Sequence, residues 1–166
     1  KNGGFEIPPP ELPTQQSKAG EQPIRNVQHK HIKLAISLAT ANVQSLSRHP
    51  DGHAGKLHFL QTQMREFQLN CIGVQEARTE QGVACSGNIL RLCSGHQQHH
   101  LGVELWIDLD LPIGFDTKKK PYKLQRSDIQ VVHVDPRRLL ARVEHAAWTA
   151  WIGVLHAPHS GHTQQA

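Results

Sequence analysis

Short apolar runs separated by turn-forming residues make up most of the chain after residue 32. The first run, LAISLATANV, is rich in Ala, Ile, Leu and Val, and it predicts a buried strand. Residues 56–68 then show apolar positions at helical spacing, which predicts an amphipathic helix packed on a sheet. Those positions are Leu57, Leu60, Met64 and Phe67. The next run, LNCIGVQEA, predicts a second short strand that ends at about Glu76.

The remainder of the chain contains five further short apolar runs and no second helical pattern. Most of these runs are bounded by Gly, Pro, Asp or Ser, as strands usually are. They are NILRLC, LGVELWI, IQVVHV, LLARVEH and TAWIGVLH. One strand–helix–strand start followed by a series of antiparallel strands predicts an α/β protein with a mixed sheet.

Residues 1–31 differ in composition from the rest of the chain. They carry five of the ten prolines, and their apolar residues follow neither the helical nor the strand period. We therefore expect a disordered, Pro-rich arm at residues 1–31 and a single partial domain at residues 32–166. The chain begins without Met, which indicates a piece of a longer product.

Several classes of protein are disfavoured by what the sequence lacks. No run approaches the roughly 18–20 consecutive apolar residues of a membrane span, so no membrane partner is expected. The first residues contain no apolar stretch of the kind found in secretory signals. Three cysteines without a CxxC pair make a disulfide scaffold a poor interpretation. We expect an intracellular protein, with the nucleus as one candidate location, and not a secreted one.

Basic residues are concentrated in one segment. The chain has 18 basic and 14 acidic residues, and residues 118–138 hold seven basic residues against two acidic ones. Such a cluster suits a polyanion, so we predict contacts to nucleic acid, and DNA in particular. The residues predicted to make them are Lys118, Lys119, Lys120, Lys123 and Arg126. The alternative is a solvated loop, because KKKPYK is also typical of a turn.

Two polar residues follow the first two predicted strands. Asn42 ends the first strand in TANVQSL, and Glu76 ends the second in GVQEAR. If the strands are neighbours, the amide and the carboxylate meet at one edge of the sheet, where ligands tend to bind. Oxygen ligands of this kind suit Mg²⁺, or Mn²⁺ in its place. The alternative is that both side chains are simply solvated strand ends.

The order of these segments resembles the endonuclease/exonuclease/phosphatase superfamily. The matching features are T-x-N-x-x-S on a first strand, a helix, a strand ending in Q-E, then G-V-x-L-W-I and V-L-H-A-P, over residues 34–162. The chain is most similar to the endonuclease domains of non-LTR retrotransposons. The resemblance implies the N-terminal part of a four-layer α/β sandwich with mixed, largely antiparallel sheets. It also implies metal-dependent phosphodiester hydrolysis, as in a DNA-nicking endonuclease of a retroelement-like protein.

The resemblance also implies roles for individual residues. Glu76 matches the metal-binding glutamate, and Asn42 matches the asparagine that orders the metal site and the phosphate. His156 falls where deoxyribonuclease-like members have a catalytic histidine. Glu104, inside GVELWI, is a candidate partner that orients a histidine, or else a mid-strand residue facing solvent.

The later motifs of that family have no counterpart in this chain. They comprise a D-x-N motif, a further acidic residue and a terminal Asp-His pair that activates water. Asp108 and Asp110 have D-x-D spacing but come too early in the order to take that role. We therefore expect a fragment that is inactive alone, whose partner is the downstream part of the same polyprotein.

Two other functions remain open on the sequence. The chain is either a phosphatase or a non-catalytic relative with the same fold, or it is a His-rich metal-binding protein. The last possibility rests on 13 histidines and on two clusters, which are His96, His99 and His100, and His156, His159 and His162. The prolines and glycines between the second set argue against a single helical face that could bind zinc.

Overall fold

The computed structural model describes residues 33–46, 54–98, 101–145 and 148–157 of the 166-residue chain. The predicted arm at residues 1–31 lies outside the described residues, as do His99, His100, His159 and His162. The described part contains one α-helix and eleven strands in three sheets, and strands outweigh helix by far. No helix in this part of the chain is long and apolar enough to cross a membrane.

The elements follow one another in the order that the apolar runs suggest, with additional strands between them. The helix α1 spans Ala54–Glu66, and a 3₁₀ turn spans Arg126–Asp128. The strands are β1 (Lys33–Leu34), β2 (Leu38–Asn42), β3 (Cys71–Gln75), β4 (Gly82–Ser86), β5 (Ile89–Cys93), β6 (Val103–Asp108), β7 (Pro112–Phe115), β8 (Pro121–Lys123), β9 (Ile129–Asp135), β10 (Arg138–His145) and β11 (Trp148–Leu155).

The largest sheet has five strands in the order β2-β3-β6-β5-β4. β2 and β3 are parallel and are joined through α1, whereas the other neighbours pair antiparallel. β6 is buried on both faces. Its alternate residues Val103, Leu105 and Ile107 belong to one core cluster, while Trp106 packs with Met64 of α1 in another. This alternation follows from the two-residue period of a strand between two layers.

A second sheet of three strands, in the order β11-β10-β9, covers the face of the large sheet opposite α1. Leu139, Ala141 and Val143 of β10 are fully buried in the shared core. A Cβ added to Gly73 of β3 would lie 3.3 Å from the Val154 side chain of β11. The absence of a side chain at Gly73 therefore lets the two sheets approach closely. The third sheet is small, in the order β1-β7-β8.

The structure corrects the prediction for the first apolar run. LAISLATANV does not form one buried strand, because β1 pairs with β7 while β2 pairs with β3. The chain changes sheets at residues 35–37, where Ser37 exchanges hydrogen bonds with Asn70. β2 is the edge strand of the large sheet, and its Leu38 is 64% exposed.

The predicted helix is present, but its last apolar position is not part of it. α1 ends at Glu66, and Gln68 has a left-handed backbone with φ of 50°. Phe67 is consequently 67% exposed and does not pack on the sheet. Three strands, β4, β7 and β8, were not predicted, because they are short and contain exposed residues or begin with Pro.

Candidate active site at the strand ends

Asn42 and Glu76 meet at one edge of the large sheet. The parallel pairing of β2 and β3 places Asn42 opposite Gln75, so Glu76 follows directly beyond it. The Asn42 side-chain amide donates a hydrogen bond of 2.9 Å to Oε1 of Glu76, although the two residues are 34 positions apart in sequence. Asn42 also accepts a hydrogen bond from the Gln44 backbone N–H. These contacts hold the Glu76 carboxylate at the mouth of the sheet.

His156 reaches the same place from the second sheet. The side-chain amide of Gln75 donates to the Leu155 carbonyl at 2.8 Å, which ties the end of β3 to the end of β11. The His156 N–H donates to the Arg137 carbonyl at 2.9 Å. Its Nε2 lies 3.6 Å from Oε1 of Glu76, and the residue is only 9% exposed. Three distant parts of the sequence therefore converge on one carboxylate.

The backbone around Glu76 has an unusual conformation. Glu76 and Arg78 both have φ of 55°, and Ser45 has φ of 106°. Two hydrogen bonds fix this geometry, from Ser45 N–H to the Glu76 carbonyl at 2.8 Å and from Leu46 N–H to the Ala77 carbonyl at 2.7 Å. Left-handed backbone at residues other than Gly costs free energy and tends to occur at functional sites. The same backbone region is also occupied at Gln68, Gln98, Leu101 and Lys119, so the conformation is consistent with a site here without singling it out.

Arg78 is a site residue that the sequence did not reveal. Its Nη2 lies 3.7 Å from Oε2 of Glu76, on the side of the carboxylate away from Asn42. An Arg three residues after a strand carries no recognisable signal, because its position depends on the turn that Glu76 begins. At this distance the guanidinium both competes with a cation for Glu76 and offers donors to a phosphate.

The side chains at this edge include a carboxylate and an amide, which are ligand types that suit Mg²⁺. Within residues 33–46, 54–98, 101–145 and 148–157, no group of three or more His, Cys, Asp or Glu side chains is arranged to hold a metal ion. Zn²⁺ needs three or four such ligands, whereas Mg²⁺ keeps several waters and binds through one or two carboxylates. His96, from the first histidine cluster, contacts Glu80 at 3.2 Å.

Glu104 does not face solvent, and it does not take the predicted place beside a histidine. It is 0% exposed, and its carboxylate accepts hydrogen bonds from Arg91 at 2.8–3.0 Å and from the Trp106 indole at 2.5 Å. Thr79 donates to the same carboxylate. Thr79 belongs to the loop at residues 76–81, which we call the site loop. The pair formed by Glu104 and Arg91 therefore also anchors the site loop, through Thr79.

The basic segment is split between the two ends of the sheets. Lys118, Lys119 and Lys120 form the β7–β8 turn, and Lys123 and Arg126 follow close by. This group lies beyond the start of β3, where Asn70 donates a hydrogen bond to the Pro112 carbonyl. From that start to Glu76 the strand is about 16 Å long. Arg137 and Arg138 lie at the Glu76 end, next to His156 and Leu155.

Asp108 and Asp110 lie at the far end as well. β6 runs antiparallel to β3, so Val103 is opposite Gln75 and Asp108 is at the other end of the strand. The Asp108 carboxylate accepts the Asp110 N–H at 2.8 Å, and Asp110 lies 3.8 Å from Lys123. The D-x-D pair therefore takes no part in the strand-end site.

A scan against protein-family models finds no match to this chain, and a search of curated proteins finds none.

Proposed function

We propose that this chain is the N-terminal part of a divalent-metal-dependent phosphodiesterase of the endonuclease/exonuclease/phosphatase type, a DNA-nicking endonuclease of a retroelement-like protein. The observation that carries the proposal is the convergence of Asn42, Glu76 and His156 at the ends of β2, β3 and β11. These are the residues that the motifs T-x-N, Q-E and L-H-A-P single out.

The arrangement of layers supports the same proposal. α1, the five-stranded sheet and the β9–β11 sheet form three successive layers. In the proposed four-layer α/β sandwich, these would be three of the layers, and a further helical layer would cover the second sheet. A nucleic-acid substrate would be consistent with the proposed intracellular location, for which the nucleus is one candidate.

Each residue of the strand-end site would have its own role in the reaction. Glu76 would hold Mg²⁺ or Mn²⁺, and Asn42 fixes the direction of that carboxylate through its 2.9 Å hydrogen bond. When bound, the ion supplies polarisation of a phosphoryl oxygen and offsets charge that builds up on the leaving oxygen. His156 would donate a hydrogen bond or a proton to the phosphate, while Arg78 and Arg137 would contact flanking phosphates.

The residues that activate the attacking water come, in this proposal, from a following part of the same protein. The family pattern places D-x-N and a terminal Asp-His pair after the L-H-A-P segment. The 166-residue chain alone is then expected to bind metal weakly and to show no Mg²⁺-dependent cleavage above background.

One observation favours the alternative of a non-catalytic relative. The Arg78 guanidinium lies 3.7 Å from Glu76 and partly neutralises the charge that a divalent cation needs. A protein that binds phosphate without cleaving it would use such a pair directly. In the endonuclease, replacing Arg78 with Met should instead tighten metal binding by up to about fivefold, the range of a partly exposed ion pair.

Metal binding at Glu76 can be tested by titrating the 166-residue chain with Mn²⁺ and recording line broadening of backbone amide NMR signals. The first signals to broaden should be those of Asn42, Glu76 and His156. Glu76→Gln should remove this local broadening, because the amide keeps the shape of the side chain without its charge. Glu80→Gln, four residues away and exposed, is the matched control and should leave the pattern unchanged. Broadening that starts at Asp108 and Asp110, or that ignores Glu76→Gln, would contradict the proposal.

A further inference from the structure

We propose that the small β1-β7-β8 sheet, together with its lysine turn, is a binding platform for single-stranded nucleic acid that is separate from the strand-end site. We call this surface the basic platform; it consists of Lys33, Phe115, the turn at residues 116–120, Pro121, Lys123 and Arg126.

An aromatic ring lies at the centre of the platform. The strand register places Phe115 directly opposite Lys33 of β1 on one side and Pro121 of β8 on the other. Residues directly opposite each other in antiparallel strands project from the same face of a sheet. All three are exposed, and Phe115 is 40% exposed. A flat apolar ring is thus presented beside an ammonium group.

The turn that follows Phe115 presents three more cations in a fixed loop. The Asp116 carboxylate accepts the N–H groups of Lys118 and Lys120, each at 2.8 Å. Two backbone hydrogen bonds between Asp116 and the lysine segment close the turn. The only acidic side chain of the turn is therefore occupied by the backbone, while the three lysine side chains extend into solvent.

The remaining carboxylates near the platform are also engaged. Asp110 accepts a hydrogen bond from Asn88 and lies 3.8 Å from Lys123, and Asp128 accepts the Gln125 N–H at 2.9 Å. With Asp108, which accepts the Asp110 N–H, six cations stand against four carboxylates in this part of the chain, a surplus of two positive charges. A local positive field of this kind attracts phosphates without regard to sequence.

The combination of ring and cations favours single strands over duplexes. An exposed aromatic side chain can stack on a base only when that base is unpaired and its face is accessible, and cations beside it then contact the flanking phosphates. In a duplex the base faces are covered by their neighbours. Since the platform lies at the opposite end of β3 from Glu76, binding there requires neither the metal nor the strand-end residues.

The test is fluorescence anisotropy of the 166-residue chain with a labelled 12-nucleotide DNA, in EDTA and over a range of salt concentrations. Phe115→Ala should weaken binding about tenfold without changing the slope of log affinity against log salt, because stacking carries no charge. Replacing Lys118, Lys119 and Lys120 with Ala should lower that slope by about 2, at roughly 0.7 per phosphate contact. Replacing the three lysines with Arg should preserve the slope.

Matched controls separate the platform from other surfaces. Phe67→Ala removes another exposed ring, 67% exposed against 40% for Phe115, and should leave affinity unchanged. With the same oligonucleotide as a duplex, Phe115→Ala should not change the affinity. Comparing the DNA with an RNA of the same sequence distinguishes single-stranded DNA from single-stranded RNA as the ligand. An equal loss for Phe115→Ala and Phe67→Ala, or an unchanged salt slope in the lysine variant, would overturn the inference. Because the assay contains no metal and measures no cleavage, its outcome is independent of the endonuclease proposal, which is tested separately by the nicking assay on a longer chain.

Discussion

Glu104 allows a large effect on stability to be predicted from geometry alone. Its carboxylate is fully buried between β5 and the site loop. There it accepts hydrogen bonds from two nitrogens of Arg91, from the Trp106 indole N–H and from the Thr79 hydroxyl. The Arg91 guanidinium also lies 5.0 Å from the centre of the Trp106 ring. Glu104→Ala would leave a buried guanidinium and a buried indole N–H without their acceptor.

The size of the effect follows from the cost of breaking a buried ion pair. Removing one partner of such a pair destabilises a protein by about 3–5 kcal/mol, a large fraction of the roughly 5–15 kcal/mol that holds a small domain together. Glu104→Gln retains the shape and some of the hydrogen bonds, so a loss of about 1–3 kcal/mol is expected. Replacing both Glu104 with Leu and Arg91 with Met should cost less than the sum of the single changes, since no buried charge is left unpaired.

Urea unfolding followed by tryptophan fluorescence measures these changes as differences in the free energy of unfolding at constant m. The matched control is Glu144→Ala, which removes the exposed ion pair between Glu144 and Arg142 and should cost less than about 1 kcal/mol. If Glu104→Ala were no more destabilising than Glu144→Ala, the buried carboxylate would not be holding β5, β6 and the site loop together.

Two further predictions concern the backbone of the site loop and the thiols. Gly102 has φ of 89°, and an added Cβ would lie 3.0 Å from the backbone of both Arg78 and Gly95. Gly102→Ala should therefore destabilise the fold by roughly 1–3 kcal/mol in the same urea assay. No loss of stability would mean that this contact is not close. Burial raises the pKa of the Cys71 thiol to about 12, and burial together with Glu104 raises that of Cys93 to about 12. At pH 8 both stay protonated and covered, so iodoacetamide should modify only the exposed Cys85 until urea is added; mass spectrometry showing all three labelled in the folded chain would contradict this packing.

The apolar runs predicted most strands because each run is short and bounded by turn residues. The pattern could not predict which strands lie at an edge, since apolar composition says nothing about the number of neighbours. LAISLATANV is mostly apolar, yet β2 has one strand beside it and Leu38 is exposed. Similarly, a glutamate in mid-strand is usually solvated, whereas Glu104 is buried and pairs at 2.8 Å with Arg91 of the neighbouring strand β5.

The strand-end site was more accessible to sequence reasoning than the surfaces around it. Asn42 and Glu76 end two strands joined by a helix, and such strands are usually parallel neighbours. For the basic segment, closeness in sequence did not predict closeness in space. β9 carries the chain about 23 Å, from the end where Arg126 lies to the end where Arg137 lies. Arg78 lies near Glu76 because the backbone at both residues is left-handed, and no residue type in GVQEAR predicts that conformation.

The central claim is that Glu76 is the metal-holding carboxylate of a phosphodiesterase. It is tested most directly by nicking of supercoiled plasmid DNA in Mg²⁺, using a longer chain that includes the proposed following residues. Glu76→Gln should slow nicking at least about a hundredfold, since the ion contributes several kcal/mol and each 1.36 kcal/mol is a factor of ten. Raised Mg²⁺ should partly restore this variant, and Glu80→Gln should nick at the parent rate. Equal nicking by Glu76→Gln and the parent at every Mg²⁺ concentration would contradict the assignment of Glu76 and, with it, the proposed function.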